Sequence, residues 1–203
     1  MPRQRLIIGV SGSSAPQLGW ATLRALHRHA DIETHVVISR GAEKTIQLEI
    51  GSDRSDFERL ADVSYDPDDL GAAISSGSFH TIGMVVVPCS MKTLAAIAAG
   101  TSTDLLTRAA DVCLKERRKL VLVTRETPLS LIHIRNMETV TLAGATVLPP
   151  MPAFYHRPET IDELLNHTIG KILDQFDIKH DLFRRWGGPP REPMPPQPDP
   201  AAN

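Results

Sequence analysis

The residues able to do chemistry in this 203-residue chain fall just after short β-branched runs. Ser11-Gly12-Ser13-Ser14 follow Arg5–Val10, and Ser39-Arg40 follow Thr34–Ile38. Pro88-Cys89-Ser90-Met91-Lys92-Thr93 come after Met84–Val87, and Arg125-Glu126-Thr127-Pro128 after Lys119–Thr124. Small residues, hydroxyls and cations of this kind suit an anionic ligand, which needs close backbone approach, free N–H groups at helix N-termini and hydroxyl donors. Each serine alone is equally a helix N-cap, so the signal is the convergence of four loops. Glu49 and Glu126 are carboxylates fit for acid–base work, and equally fit as surface or capping residues. Arg108 and Lys115 lie seven residues apart, which on a helix puts them on one face about 10.5 Å apart along the axis. The same spacing describes a solvated stripe.

Those loops need elements to position them. Strands are predicted at Arg5–Val10, Thr34–Ile38, Met84–Val87, Lys119–Thr124 and Ala145–Leu148. Helices are predicted over Pro16–Ala30, Arg40–Ile50, Pro67–Ser75, Met91–Ala99, Asp104–Arg118, Ser130–Ala143 and Glu159–Phe176, with residues 51–66 a loop. Such alternation predicts an α/β fold, flavodoxin-like or Rossmann-like, in which an open parallel sheet carries helices on both faces. Ligands of such sheets bind beyond the carboxyl ends of the strands, where the loops above must lie. The first loop is not G-x-G-x-x-G, and no G-x-x-x-x-G-K-[ST] occurs. Flavin mononucleotide suits a hydroxyl-rich, glycine-poor loop better than a dinucleotide or a nucleoside triphosphate does.

Composition narrows the classes. A net charge of −2 and a pI near 6.4 give no electrostatic footprint for nucleic acid. The apolar runs are too short to span a bilayer, and no secretory segment precedes the first strand, so a cytoplasmic location is expected. Cys89 and Cys113 form no ligand or disulfide pattern and read as small buried hydrophobes. Residues 1–186 read as one domain. Residues 187–203 hold seven of the sixteen prolines and no aromatic residue, and read as a disordered tail.

Taken in order, Ser11-Gly12-Ser13-Ser14, Ser75-Ser76-Gly77-Ser78-Phe79, Pro88-Cys89-Ser90-Met91-Lys92-Thr93-Leu94 and Arg108-Ala109-Ala110-Asp111-Val112 resemble the flavin prenyltransferases of the UbiX/Pad1 family. Leu114-Lys115-Glu116-Arg117-Arg118, Arg125-Glu126-Thr127-Pro128-Leu129 and Pro152-Ala153-Phe154-Tyr155-His156-Arg157-Pro158 extend the resemblance, which covers about residues 5–186. It implies that reduced FMN receives a dimethylallyl group from dimethylallyl monophosphate, first at N5 and then at C6. The prenylated flavin would pass to a UbiD-type decarboxylase, and the enzyme would be a homododecamer with sites where subunits meet.

By the same resemblance, Gly12, Ser13, Ser14, Ser39, Ser90, Met91, Lys92, Thr93 and Arg125 hold FMN, with no metal. Arg108, Lys115, Tyr155 and Lys171 receive the substrate phosphate, and Trp186 lines the prenyl pocket. Ser14, Glu49, Lys115 and Glu126 are the catalytic polar residues, Glu49 acting as proton shuttle near N5. Two positions depart from the family. Ala15-Pro16 replaces a usual glycine and small residue, which predicts an extended Ala15 and a reshaped first loop. Lys171 replaces a common arginine and so loses a bidentate fork. Two other readings compete: an FMN-binding accessory subunit without catalysis, and a cysteine decarboxylase. The second needs a catalytic histidine soon after the first strand, whereas His27 and His29 fall on the predicted first helix.

Overall fold

The structure is a computed structural model and describes residues 3–188. Six parallel strands form one sheet in the order β3-β2-β1-β4-β5-β6. They are β1 Gln4–Val10, β2 Ile32–Ile38, β3 Val63–Tyr65, β4 Gly83–Cys89, β5 Lys119–Thr124 and β6 Thr146–Val147. The central strands are buried on both faces, as continuous apolar runs such as Met84–Val87 require.

Alternate residues of each strand feed two cores. Leu6, Ile8, Val10, Val85, Val87, Val121 and Val123 pack under α1 (Gln17–Leu26) and α7 (Ile161–Gln175). The same layer takes in Ala42 and Ile46 of α2 (Arg40–Ile50) and Phe57 of α3 (Arg54–Glu58). Ile7, Met84, Val86, Leu120 and Leu122 pack against α4 (Met91–Ala98), α5 (Leu105–Lys115) and α6 (Leu131–Leu142). The expected open parallel sheet with helices on both faces is therefore the observed one.

The span 51–66 is not a loop. Asp53 and Asp56 form a capping box that starts α3, and Val63–Tyr65 adds a three-residue edge strand beside β2. Conversely, Pro67–Ser75 is not a helix. The Asp66 and Asp69 carboxylates accept from the N–H groups of Asp68 and Gly71, and only a 3-10 turn at Ala73–Ser75 forms. Side chains that bond the backbone locally compete with helix formation in this way. The first helix also stops short at Leu26, so His27 and His29 lie beyond its end. The expected tail begins at residue 187, and residues 189–203 of it lie outside the described residues.

Cys89 and Cys113 are buried and unpaired, and burial pushes both thiols up to about 12. They are inert hydrophobes in this fold. Among the described residues no helix is long and apolar enough to cross a membrane.

Candidate functional site

The strand order reverses between β1 and β4, so the chain leaves their carboxyl ends in opposite directions and opens a crevice. Ser11 bridges its two walls, since its hydroxyl donates to the Pro88 carbonyl at 2.9 Å and accepts from the Ser90 N–H at 2.7 Å. Ser13 ties the same loop to the end of β5 by donating to the Arg125 carbonyl at 3.0 Å.

A cleft of about 350 Å³ lies on this edge, lined among others by Gly12, Ser39, Arg40, Ser90, Lys92 and Thr93. Three helices point their N-termini toward it: α2 capped by Ser39, α4 capped by Ser90 and α5 capped by Asp104. Partial positive charge at three helix ends is what an anionic group would meet. Ser39 and Ser90 are N-caps as well as cleft residues, accepting from Ala42 N–H and Thr93 N–H, each at 3.2 Å. Ser90 donates in turn to the Thr93 hydroxyl at 3.1 Å, so the Ser39 and Thr93 protons stay available to a ligand. Larger depressions of about 610 and 550 Å³ beside α2 and α3 gather no loops from β1 and β4.

Two features test the fit of a bound phosphate-bearing flavin. A side chain at Gly12 would strike the Gly41 backbone carbonyl, its Cβ falling 2.7 Å from the carbon, so a bare backbone faces the cleft there. At the carboxyl end of β5, the Thr124 hydroxyl is buried without a hydrogen-bond partner among the described residues. Both suit a ligand that brings its own polar atoms to this edge.

The loop after β1 keeps the geometry of a glycine-bearing loop. Ala15 has φ +71°, in the left-handed region, and not the extended conformation that the following proline predicts. The reason lies in its amide: Ala15 N–H donates to Glu49 Oε2 at 2.9 Å, drawing the end of α2 against the loop. Glu49 is thereby placed one residue from Ser14, whose hydroxyl has no hydrogen-bond partner among the described residues. Glu126 is exposed and accepts only from the N–H of Thr127, at 3.0 Å.

The remaining predicted residues do not join this cleft within one chain. Arg108 lies on α5 with its guanidinium on the Ser75 carbonyl at 3.1 Å and on Asp111 at 2.7 Å. Lys115 closes the same helix next to the start of β5 and pairs with Glu116. It therefore sits at the amino edge of the sheet. Tyr155, Lys171 and Trp186 gather around α7, on the other face. A cleft of about 440 Å³ lies there, lined by Tyr155, His156, Arg157, Arg184, Arg185 and Trp186. His27 is also far from the carboxyl edge; its Nδ1 lies 3.2 Å from the Leu60 carbonyl oxygen.

Asp104 and Thr107 line the same cleft without having been singled out in the sequence, where Arg40 was grouped with Ser39 after the second strand. The D-x-x-T spacing of Asp104 and Thr107, a capping box ahead of α5, was the available signal. Arg40 follows Ser39 directly, and it spans the cleft rim to Asp66 and Asp68 at 3.1 and 2.7 Å.

A doubly wound parallel sheet with a phosphate-ready crevice at its β1/β4 switch point defines the class of FMN-type α/β flavoproteins. The family profile described as Flavoprotein matches residues 1–180. The flavin prenyltransferase UbiX of Escherichia coli (strain K12) is 51% identical, over 91% of this chain and 99% of that protein. The crystal structure of AnUbiX (PadA1) in complex with FMN and dimethylallyl pyrophosphate superposes with a TM-score of 0.89. It is 50% identical and covers 92% of this chain and 98% of that one. The dodecameric FMN-dependent UbiX-like decarboxylase of Escherichia coli O157:H7 gives the same TM-score at 51% identity, over 91% of this chain and 100% of that one. The chain belongs to the UbiX family of flavin prenyltransferases.

Proposed function

We propose that this protein transfers a dimethylallyl group to reduced FMN, making the prenylated flavin used by a UbiD-type decarboxylase. The observation that carries the reading is the cleft at the switch point, where three helix N-termini and the Ser39, Ser90 and Thr93 hydroxyls converge. Gly12 and Lys92 line it as well, and Ser13, Ser14, Met91 and Arg125, each just beyond the carboxyl end of a strand, complete the FMN-holding set. Reduced FMN, when bound, supplies the nucleophilic atoms that take the prenyl carbons.

The chain's own groups do the rest. Ser14 on the first loop and Glu49 at the end of α2 are brought together by the Ala15 N–H bond, Glu49 to carry a proton and Ser14 to orient the ring. Fixed cations, Arg108, Lys115 and Lys171, together with the Tyr155 hydroxyl, stabilise charge on the departing phosphate. Because Arg108 and Lys115 lie on one face of the sheet and Tyr155 and Lys171 on the other, one phosphate site needs more than one chain.

Assembly is supported by α6. Only Val140 of that helix is buried, while Leu131, Ile132, Ile134 and Leu142 are exposed. A soluble monomer rarely leaves so large an apolar face uncovered. A homododecamer like the relative's is the reading this favours, in the cytoplasm, with residues 1–186 as its single domain.

Anaerobic incubation with reduced FMN and dimethylallyl monophosphate should release a flavin heavier by one isoprene unit in the mass spectrum. Running dimethylallyl diphosphate in parallel decides which donor is used. Recovery of unmodified FMN alone, from both donors, would leave the accessory-subunit reading in its place.

A further inference from the structure

The end of α7 carries a carboxylate that the transfer chemistry leaves unexplained. Asp174 is four-fifths buried and meets three basic side chains. Arg185, eleven residues on, forks onto it with Nη2 to Oδ1 at 2.7 Å and Nη1 to Oδ2 at 3.1 Å. His180 Nε2 lies 3.0 Å from Oδ1, and Lys171 Nζ 3.6 Å from Oδ2. His180 Nδ1 accepts from the Leu182 N–H at 3.3 Å, so Nε2 carries the proton and donates to Asp174. The Arg185 guanidinium, helped by His180, holds the Asp174 carboxyl down to about 2 against a partial desolvation, so it is ionised throughout the neutral range.

These bonds fasten a return segment. After Ile178 the chain runs back along α7, and Phe183 and His180 press onto Gly170, where any side chain would collide with both rings. Phe183 then meets His167 at 4.7 Å between centroids, and Trp186 meets Tyr155 edge-on at 5.9 Å. Trp186 follows Arg185 directly. The fork on Asp174 is thus the last fixed point before the indole.

We propose that Asp174 is a positioning residue for prenyl transfer, fixing Trp186 against Tyr155 through Arg185 and aiming the Lys171 ammonium from one helical turn away. The inference rests on the reading of Tyr155, Lys171 and Trp186 as the donor pocket. A lysine has a flexible stem where an arginine would bring a rigid fork, so a carboxylate at i+3 restores some of the direction lost. The exposed Lys171 pair adds little stability by itself, and its effect is on position.

The test uses the full chain as purified, in a Trp20→Phe background that leaves Trp186 as the sole tryptophan; Trp20 lies on α1 beneath Arg24. Asp174→Asn should raise KM for dimethylallyl monophosphate about tenfold, the effect of one lost charged hydrogen bond, with kcat little changed. Time-resolved anisotropy of Trp186 should gain a fast component, and Asp174→Glu should recover part of both. A wild-type KM in Asp174→Asn overturns the proposal. So does a loss of kcat that tracks a lowered melting temperature and vanishes on cooling, which marks a structural tie alone. If the unmutated chain makes no prenylated flavin, the prenyltransferase reading fails, and the anisotropy alone decides whether Asp174 holds Trp186.

Discussion

Glu49→Gln separates proton transfer from binding more cleanly than any other substitution in this site. The Glu49 carboxylate spends one oxygen on the Ala15 N–H, at 2.9 Å, and is exposed on its other side. A glutamine keeps an amide oxygen for that bond, so the first loop and FMN affinity should stay as they are. What it loses is the ability to take and release a proton. A positioned acid or base contributes about 10²–10⁴-fold in rate, or about 2.7–5.4 kcal/mol of barrier at 1.36 kcal/mol per decade.

A single-turnover experiment under anaerobic conditions should follow phosphate release and finished product separately. If Glu49 acts when the ring closes, phosphate appears at the wild-type rate while product lags by that factor. Glu49→Ala should add a binding defect, because the Ala15 N–H loses its partner at a cost of about 1 kcal/mol. Product formed by Glu49→Gln at the wild-type rate would refute the shuttle. A loss of FMN affinity equal to that of Glu49→Ala would show that the carboxylate binds and does not catalyse.

Arg125→Ala should weaken FMN binding by about 1.5–3 kcal/mol in a titration, the worth of a hydrogen bond to a charged group; unchanged affinity would remove Arg125 from the site. Lys115→Ala should lower the rate strongly while EDTA leaves the wild type untouched, because cations meet the leaving phosphate; loss of product with EDTA and its return with magnesium would overturn this. Ala15→Gly should raise the melting temperature slightly: a left-handed alanine costs about 1–2 kcal/mol, and glycine returns about 0.4–1 kcal/mol of that through the unfolded chain. Asp62 is pushed up by burial, but Arg3 and the amide and hydroxyl of Thr34 outweigh this and hold it down to about 2, from 3.8. Its stabilisation is therefore full above 3.8 and lost as pH falls toward 2, so Asp62→Asn should differ from wild type in neutral denaturation and converge with it in acid.

The parts of the fold legible in the sequence are those with both a pattern and a punctuation mark. Helix α2 begins and ends where expected because Ser39 caps it and Gly51 closes it at φ +61°. Strand β5 runs over Lys119–Thr124, as expected, because its apolar run is continuous. Strand β3 was hidden because three residues, paired on one side and none buried, carry no periodicity. The aspartates near 66–69 looked helix-compatible, yet they bond their own backbone. Of the site, the loops after β1, β2, β4 and β5 were readable because every strand of a parallel sheet delivers its following loop to one edge. The Glu49–Ala15 bond was not readable, since it joins residues 34 positions apart through a side chain. Lys115 at the amino edge was implicit, since it ends the helix that leads into β5, but the face of the sheet that α5 covers depends on its crossover and not on spacing along the helix.

The placement of α5 and α7 on opposite faces of the sheet decides how the proposed phosphate site can be built. The sheet stands between α5 and α7, and its central strands are buried on both sides, so no rotamer change brings Lys115 to Tyr155 within a chain. The carboxyl-edge cleft is lined by Arg40 and Lys92 but by none of the proposed leaving-group cations Arg108, Lys115 and Lys171. On the proposed reading each chain presents three incomplete surfaces: a flavin cleft, a stretch of α5 from Arg108 in its first turn to Lys115 at its end, and an α7 face with Tyr155, Lys171 and Trp186. The exposed apolar side chains of α6, with Met151 and Phe154 in the loop after β6, supply the hydrophobic area by which copies would adhere. Closed point-group assemblies repeat such heterologous contacts until every surface is matched. On this reading the assembly is part of the catalyst, and a charge placed on α6, as in Ile132→Glu, acts at a distance on transfer without touching a residue of the flavin cleft.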